Sequence, residues 1–236
     1  MTIDLDGITD NAALARLCAL VPLDEAGRNA VRLASERSRR IMPRREVQVE
    51  GSAIREPLLV LRGWAARIRI LSDGRRQITN FTLPGDLVGL YRHDRPVASS
   101  TIVALTPVTV CTAPDASASS TLGQAYAVSA AHDEAYLLAQ IARLGRLNAH
   151  ERIADLLLEL LERLGMAGLA TQGRFGLPLT QETLADALGL TAVHVNRMLQ
   201  QARRAGEISW QAKEMVIHDP AALARQVGRA PVQVSG

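Results

Sequence analysis

The stretch Thr191–Gly206, TAVHVNRMLQQARRAG, carries three arginines and no acid. At helical spacing Val193, Asn196, Arg197 and Gln200 fall on one side, with His194 beside them and Arg203 and Arg204 further along. A guanidinium can donate two parallel hydrogen bonds to a guanine edge, and the carboxamide of Asn or Gln can bridge an adenine edge. Arg203 and Arg204 suit phosphate oxygens, which hold a duplex in register without reporting its sequence. This is the chemistry of reading a polyanion rather than of making or breaking bonds.

The preceding residues supply a frame for those side chains. Thr180 suits an N-cap, with Gln181 and Glu182 in the first turn, where acceptors and negative charge are favoured. Leu184 and Leu188 face inward, and small Ala185 allows a second helix to cross closely. Gly189 closes the first helix in the left-handed conformation, at least cost for glycine. Leu190 packs inward, and Thr191 caps a second helix whose buried side is Val195, Met198 and Leu199. A small residue, a glycine four later and an aliphatic six after that is helix-turn-helix spacing. Thr180, Gln181 and Thr191, at the two helix starts, complete the candidate DNA-binding set. A plain helical hairpin with a solvated arginine face satisfies the same pattern. The continuation favours the sharper reading: Gly206–Trp210 and Glu214–His218 read as a strand pair around Gln211-Ala212-Lys213, a wing.

Upstream, residues 45–113 read as strands. Leu58–Leu61, Ala65–Leu71, Gln77–Thr82, Ser100–Leu105 and Val108–Thr112 are separated by Ser72-Asp73-Gly74, Leu83-Pro84-Gly85-Asp86 and Pro107. Within them Arg67 and Arg69 are expected on one face and Ile68 and Ile70 on the other. Short strands with regular turns suggest a small antiparallel barrel or sandwich. A helix is expected from about Tyr126 to Leu147, where Leu137, Leu138, Ile141 and Leu144 form an apolar stripe that either packs on its own barrel or pairs two subunits. Glu151–Leu164 reads as a second amphipathic helix ended by Gly165 and Gly168.

Composition bounds the alternatives. The 236 residues carry a net charge of +3, but from residue 149 onward nine basic residues balance nine acidic ones, so the case for DNA rests on local placement. No apolar run approaches the ~20 residues of a membrane span, and an acidic N-terminus argues against a leader peptide, so a cytoplasmic location is expected. The two cysteines, Cys18 and Cys111, read as unpaired thiols and lack the clustering of a zinc or iron–sulfur site. A barrel oxygenase or isomerase needs converging histidines, whereas only His93 of five histidines falls in the barrel region. No Ser-His-Asp set, phosphate loop or paired acids stands out, so an enzyme is not expected.

With LPLTQETLADALGLTAVHVNRMLQQARRAGEI at one end and LRGWAARIRILSDGRRQITNFTLPGDLVGL at the other, the chain resembles the Crp/Fnr family of bacterial transcription regulators. The resemblance implies an α+β fold: an N-terminal cyclic-nucleotide-binding-type β-roll over residues 1–125, a long dimerisation helix over 126–148, a C-terminal winged helix-turn-helix over 149–222, and a tail over 223–236. It makes Leu137, Leu138, Ile141 and Leu144 a seam between two subunits. It further implies a homodimer, double-stranded DNA with an inverted-repeat site as partner, and RNA polymerase as a further partner. Arg197 matches a family arginine that contacts the site, with Asn196 and Val193 at neighbouring base-facing positions. Many members have glutamate where Val193 stands; valine cannot accept from cytosine N4 but can touch a thymine methyl, so the half-site should differ there.

The effector is approached through the same resemblance. Cyclic-AMP-responsive members place an Arg-Ser pair after a Gly-Glu-Leu turn; here the turn is taken as Gly85-Asp86-Leu87, and Ala98 stands before Ser99 and Ser100. Without a guanidinium the cyclic phosphate loses its charge-assisted contact, so cyclic AMP is not expected. Two cysteines cannot supply the four-cysteine cluster of oxygen-sensing members. His93 could ligate a haem, although a surface role is the plainer reading of a lone loop histidine. No cofactor is required by the sequence. The competing expectation is a haem- or small-ligand-sensing β-roll whose DNA binding is weak or lost.

Overall fold

The computed structural model describes residues 12–91 and 94–234. Two helices, α1 (Ala12–Leu20) and α2 (Glu25–Glu36), precede eight strands: β1 (Arg39–Ile41), β2 (Glu46–Gln48), β3 (Leu58–Arg62), β4 (Ala65–Ile70), β5 (Arg76–Thr82), β6 (Leu87–Val88), β7 (Thr101–Ala104) and β8 (Val108–Thr112). They form two antiparallel sheets, ordered β1-β8-β3-β6 and β2-β7-β4-β5. Val60, Ala65, Ile102, Ala104, Val108 and Val110 fill the space between the sheets. On the outer side of the first sheet, Leu59, Leu87 and Cys111 pack with Leu14 and Leu17 of α1 and Val31 of α2.

A long helix, α3 (Ser120–Arg146), leaves the roll and meets α4 (Ala149–Met166) through a two-residue corner. Ser119 caps α3, so the helix starts six residues before the expected Tyr126. At the corner Asn148 and Glu151 form a reciprocal capping box, which fixes where α4 begins. The C-terminal head continues with β9 (Ala170–Thr171), β10 (Arg174–Gly176), α5 (Gln181–Leu188), α6 (Ala192–Arg204), β11 (Ile208–Gln211), β12 (Glu214–Ile217) and α7 (Pro220–Val227). Its third sheet runs β11-β12-β10-β9, so the wing is four-stranded rather than the expected pair.

Three expectations are corrected. The alternation along β4 fails at its end: Ile68 is buried, but Ile70 pairs with Arg76 on the last rung and is 67% exposed, after a bulge between Arg67 and Ile68. Gly165 lies inside α4, which runs on to Met166 before Gly168 turns with positive φ. The tail boundary at 223 cuts through α7, whose Leu223 is buried in the head.

One apolar cluster runs from Trp64, Phe81 and Leu83 of the roll through Leu156 and Leu160 of α4 to Leu188, Val195 and Leu199. Roll and head therefore share a core. Burial of this kind stabilises by roughly 25 cal/mol per Å2 of apolar surface removed from water, so the two parts move apart only at considerable cost.

Candidate nucleic-acid interface

The two helices of the candidate reader are set by their caps. Thr180 Oγ1 accepts from Thr183 N at 3.1 Å, and Thr191 Oγ1 accepts from His194 N at 3.2 Å. Between them Gly189 adopts φ 62° and ψ 38°, and its N–H bonds to Ala185 O, as expected for a left-handed C-cap. Replacing Thr191 by alanine should cost about 1 kcal/mol of head stability, read as a lower urea midpoint, because that N–H then lacks its acceptor.

Val195, Leu199 and Ala202 bury the inner side of α6 against Leu184, Ala185 and Leu188. Ala202 was not foreseen, and Met198 is half-buried rather than fully inward. The outer side presents Asn196, Arg197, Gln200, Arg203 and Arg204 exposed, with Val193 81% exposed and His194 half-buried. Thr180 and Thr191 are exposed at the helix starts, and Gln181 donates from Nε2 to Asn196 Oδ1 at 3.2 Å. That bond links the two helices. The expected base-reading side chains thus share one open face.

The wing turns through Ala212 (φ 50°) and Lys213 (φ 65°), two consecutive left-handed residues of the kind a tight hairpin demands. Lys213 is exposed at its tip. Arg174 of β10 pairs with Glu214 of β12, bracing the hairpin.

The apolar stripe of α3 divides. Leu138 and Ile141 are 59% and 67% exposed, whereas Leu137 and Leu144 are half-buried. The side of α3 facing the chain's own core is instead Leu122, Tyr126, Ser129, His132, Tyr136 and Arg143. Leu144 approaches the α5–α6 turn, 3.5 Å from where a Cβ on Gly189 would lie.

The expected effector turn proves to be a structural joint, which is a correction. Asp86 is 3% exposed, and its carboxylate is held by Arg16 of α1 at 3.0 Å, Arg163 of α4 at 2.8 Å and the Leu83 N–H at 2.7 Å. Gly85 has φ 90°, and a Cβ there would lie 2.7 Å from the Arg16 side chain. Leu87 is buried in the core beneath α1. The side chains of Asp86 and Leu87 are thus committed to ion pairs and to the core. Ala98 is buried, Ser99 shares a hydrogen bond with Tyr91, and Ser100 accepts from Arg67 at 3.2 Å. His93, with Arg92, lies outside the described residues. Cys18 and Cys111 are free thiols, and burial pushes Cys111 up to about 11.

The reading from sequence also missed a buried ionic layer between roll, α3 and head. Arg163 donates to Asp86, Phe81 O (2.7 Å) and Asn80 Oδ1 (2.9 Å), and its guanidinium lies 4.8 Å from the Tyr136 ring centre. Arg143 of α3 holds Asp155 at 2.7 Å and Glu159 at 2.5 Å, and Arg229 reaches back to Asp155 and Glu162. Burial alone would lower the pKa of Arg163, but the charges of Asp86 and Glu159 outweigh it and raise it. A signal existed: Asp155, Glu159 and Arg163 follow at four-residue spacing through a leucine-rich helix, where a charge is tolerated only if paired. A second tie joins roll to reader. Arg76 pairs with Asp186 at 2.6 Å, while Gln77 and Gln140 donate to Asp186 O at 2.8 Å and Ala187 O at 2.6 Å.

Half-buried Asp133 borders this layer. Burial, with the nearby charge of Asp86, pushes its carboxyl from 3.8 up to about 6, against the pull of Arg16, Arg163 and Arg67. A folded pKa above the unfolded one gives stability that is complete below about pH 4 and lost as pH rises through about 6. Asp133→Asn should therefore be more stable than the parent at pH 7.5, with the difference vanishing by pH 4, as read by urea denaturation across pH.

Comparison with known proteins completes the site. Residues 151–226 match the Crp-like helix-turn-helix domain, and residues 39–124 match the cyclic nucleotide-binding domain. The chain is 33% identical over 168 residues to the nitrogen fixation regulation protein FixK of Bradyrhizobium diazoefficiens, covering 69% of this chain and 70% of that one. The chain belongs to the Crp/Fnr family of transcription regulators. Within that family it is also 26% identical over 231 residues to the anaerobic regulatory protein of Haemophilus influenzae, covering 95% and 90% of the two chains. The solved structure of FixK2 from Bradyrhizobium japonicum superposes with a TM-score of 0.69 at 27% identity, covering 83% of this chain and 98% of that one. The fold of this Crp/Fnr regulator is thus the one its motifs implied: roll, long helix and DNA-binding helix-turn-helix. Among the described residues no helix is long and apolar enough to cross a membrane.

Proposed function

We propose that the protein is a sequence-specific regulator that binds an inverted-repeat operator as a homodimer in the cytoplasm, with RNA polymerase as a further partner. The observation that carries this reading is the open face of α6, where Asn196, Arg197 and Gln200 stand exposed and unobstructed by the roll. Arg197 reads a guanine, Asn196 and Gln200 reach adenine edges, and Val193 meets a thymine methyl. Thr180, Gln181, Thr191, His194, Arg203 and Arg204 fix the phosphate backbone on either side. Exposed Leu138 and Ile141 favour the subunit seam over packing on the chain's own roll, with Leu137 and Leu144 at its border.

For the sensor, the proposal excludes two signals. Ala98 stands where a phosphate-pairing arginine would be needed, against cyclic AMP, and two cysteines cannot hold a four-cysteine cluster. Asp86 and Arg163 suggest that the roll acts on the head through the ionic layer. Selection from a random duplex pool tests the reading: the expected outcome is an enriched inverted repeat bound by a species of twice the chain mass. Recovery of no repeat would favour the competing reading, a ligand-sensing roll with lost DNA binding.

A further inference from the structure

Between the start of α1, the second half of α2 and strands β3 and β8 lies a cavity of about 480 Å3. Small-molecule pockets span about 300–1,000 Å3. The floor is aliphatic: Leu14 of α1, Val31 of α2 and Leu61 of β3. Leu14 and Val31 are buried, whereas Leu61 is only half-buried although it belongs to a strand of the roll. Among the described residues no aromatic ring lines the space.

The mouth is polar. Arg32 and Glu36, one turn apart on α2, both line it and are exposed, as is Ser38. Among the described residues Arg32 donates to Asn29 Oδ1 at 3.2 Å and pairs with no carboxylate. Arg62, which keeps contacts of its own, lines the same cavity, and Thr109 adds a hydroxyl. Two guanidiniums therefore face one carboxylate, Glu36, across an aliphatic floor.

A gap filled by water is the plainer reading of a space beside a surface helix. Ordered water needs polar partners, however, and three aliphatic side chains offer it none. A hydrocarbon tail gains on that floor what water cannot, and the guanidiniums at the mouth suit a carboxylate at its end.

Helix α1 links this cavity to the reader. Ala13, on the cavity wall, lies one turn before Arg16. Arg16 pairs with Asp86 at 3.0 Å and donates to Gly85 O at 2.9 Å and to Ser129 Oγ at 3.1 Å. Asp86 in turn holds Arg163 of α4. A ligand that presses on the start of α1 is thus felt in the ionic layer between roll and head.

We propose that this cavity is an effector site for a medium-chain aliphatic carboxylate, with its tail on Leu14, Val31 and Leu61 and its carboxylate at Arg32 and Arg62. Binding is independent of DNA; only the effect of the ligand on DNA rests on the operator-binding reading.

Calorimetric titration of the full-length chain with octanoate and hexanoate, without DNA, tests the site. Octanoate should bind once per chain with a Kd of about 0.1 mM or tighter. Hexanoate should bind about 15-fold more weakly, roughly fourfold for each methylene lost. Octan-1-ol keeps the tail without the charge and should bind about tenfold more weakly than octanoate. R32Q should lose about tenfold, and E36Q should gain about threefold, since a like charge leaves the mouth. Both positions are exposed, so neither variant threatens the fold. Saturating octanoate should shift the operator Kd by about threefold or more, and operator should shift the octanoate Kd by the same factor.

Absence of binding, binding untouched by R32Q, or octan-1-ol as good as octanoate overturns the site. Binding that appears only after residues 1–11 are deleted does so too, because the chain itself then fills the cavity. Octanoate that binds yet leaves operator affinity unchanged overturns the effector role. Failure to select any operator, with the titration as expected, counts against the operator reading alone.

Discussion

Arg163→Ala is expected to destabilise the folded chain by about 3–5 kcal/mol, the usual cost of removing one partner from a buried charge cluster. The side chain is 1% exposed and serves four groups at once: Asp86, Glu159, the Phe81 carbonyl and the Asn80 side chain. Alanine strips all four of a donor in a place water does not reach, and it opens a void beside Tyr136. Asp86 would keep Arg16, and Glu159 would keep Arg143, which limits the loss. The check is urea denaturation at fixed protein concentration, because dimerisation would make the midpoint concentration-dependent. Asp86→Asn in the Arg163→Ala background should add less than it costs alone, the non-additivity of two residues in one network. A loss below about 1 kcal/mol would mean that the layer is bypassed by water and does not join roll to head.

Arg197→Ala should weaken operator binding by about 1–3 kcal/mol, roughly 5- to 150-fold in Kd, while leaving the fold intact. The side chain is exposed, so its removal opens no cavity. The loss should fall on one base pair: the variant tolerates any base where the parent demands one. Arg203→Ala, at a position proposed to face phosphate, should instead weaken binding to all sequences and lower the salt slope by about 1. Fluorescence anisotropy against single-base operator variants separates the two. If Arg197→Ala loses affinity evenly across all variants, the residue touches backbone rather than base.

The reader was legible because its geometry depends on residues with few substitutes. Thr180 and Thr191 cap, and Gly189 takes a positive φ, at the positions their types announced. The joint was not legible, because its partners are far apart in the chain: Arg16, Asp86 and Arg163 meet only once the roll, α3 and α4 are packed. Reading Gly85-Asp86-Leu87 as a ligand turn failed for that reason, since a buried aspartate and a ligand-binding one look alike until the partner arginines are placed. The wing turn was located but not its conformation, for Ala212 and Lys213 lack the Asn-Gly chemistry that usually marks two left-handed residues. Strands β1, β2 and β6 escaped because two or three residues are too few to show a period.

The central claim is that two copies of α6 read successive major grooves of one duplex. Binding to a selected inverted repeat whose half-sites are moved apart tests it most directly. With centres about 10 base pairs apart, one helical turn, the dimer should bind with specific affinity; adding five base pairs should abolish it by turning one groove to the far side. Affinity that is indifferent to the insertion would contradict the account.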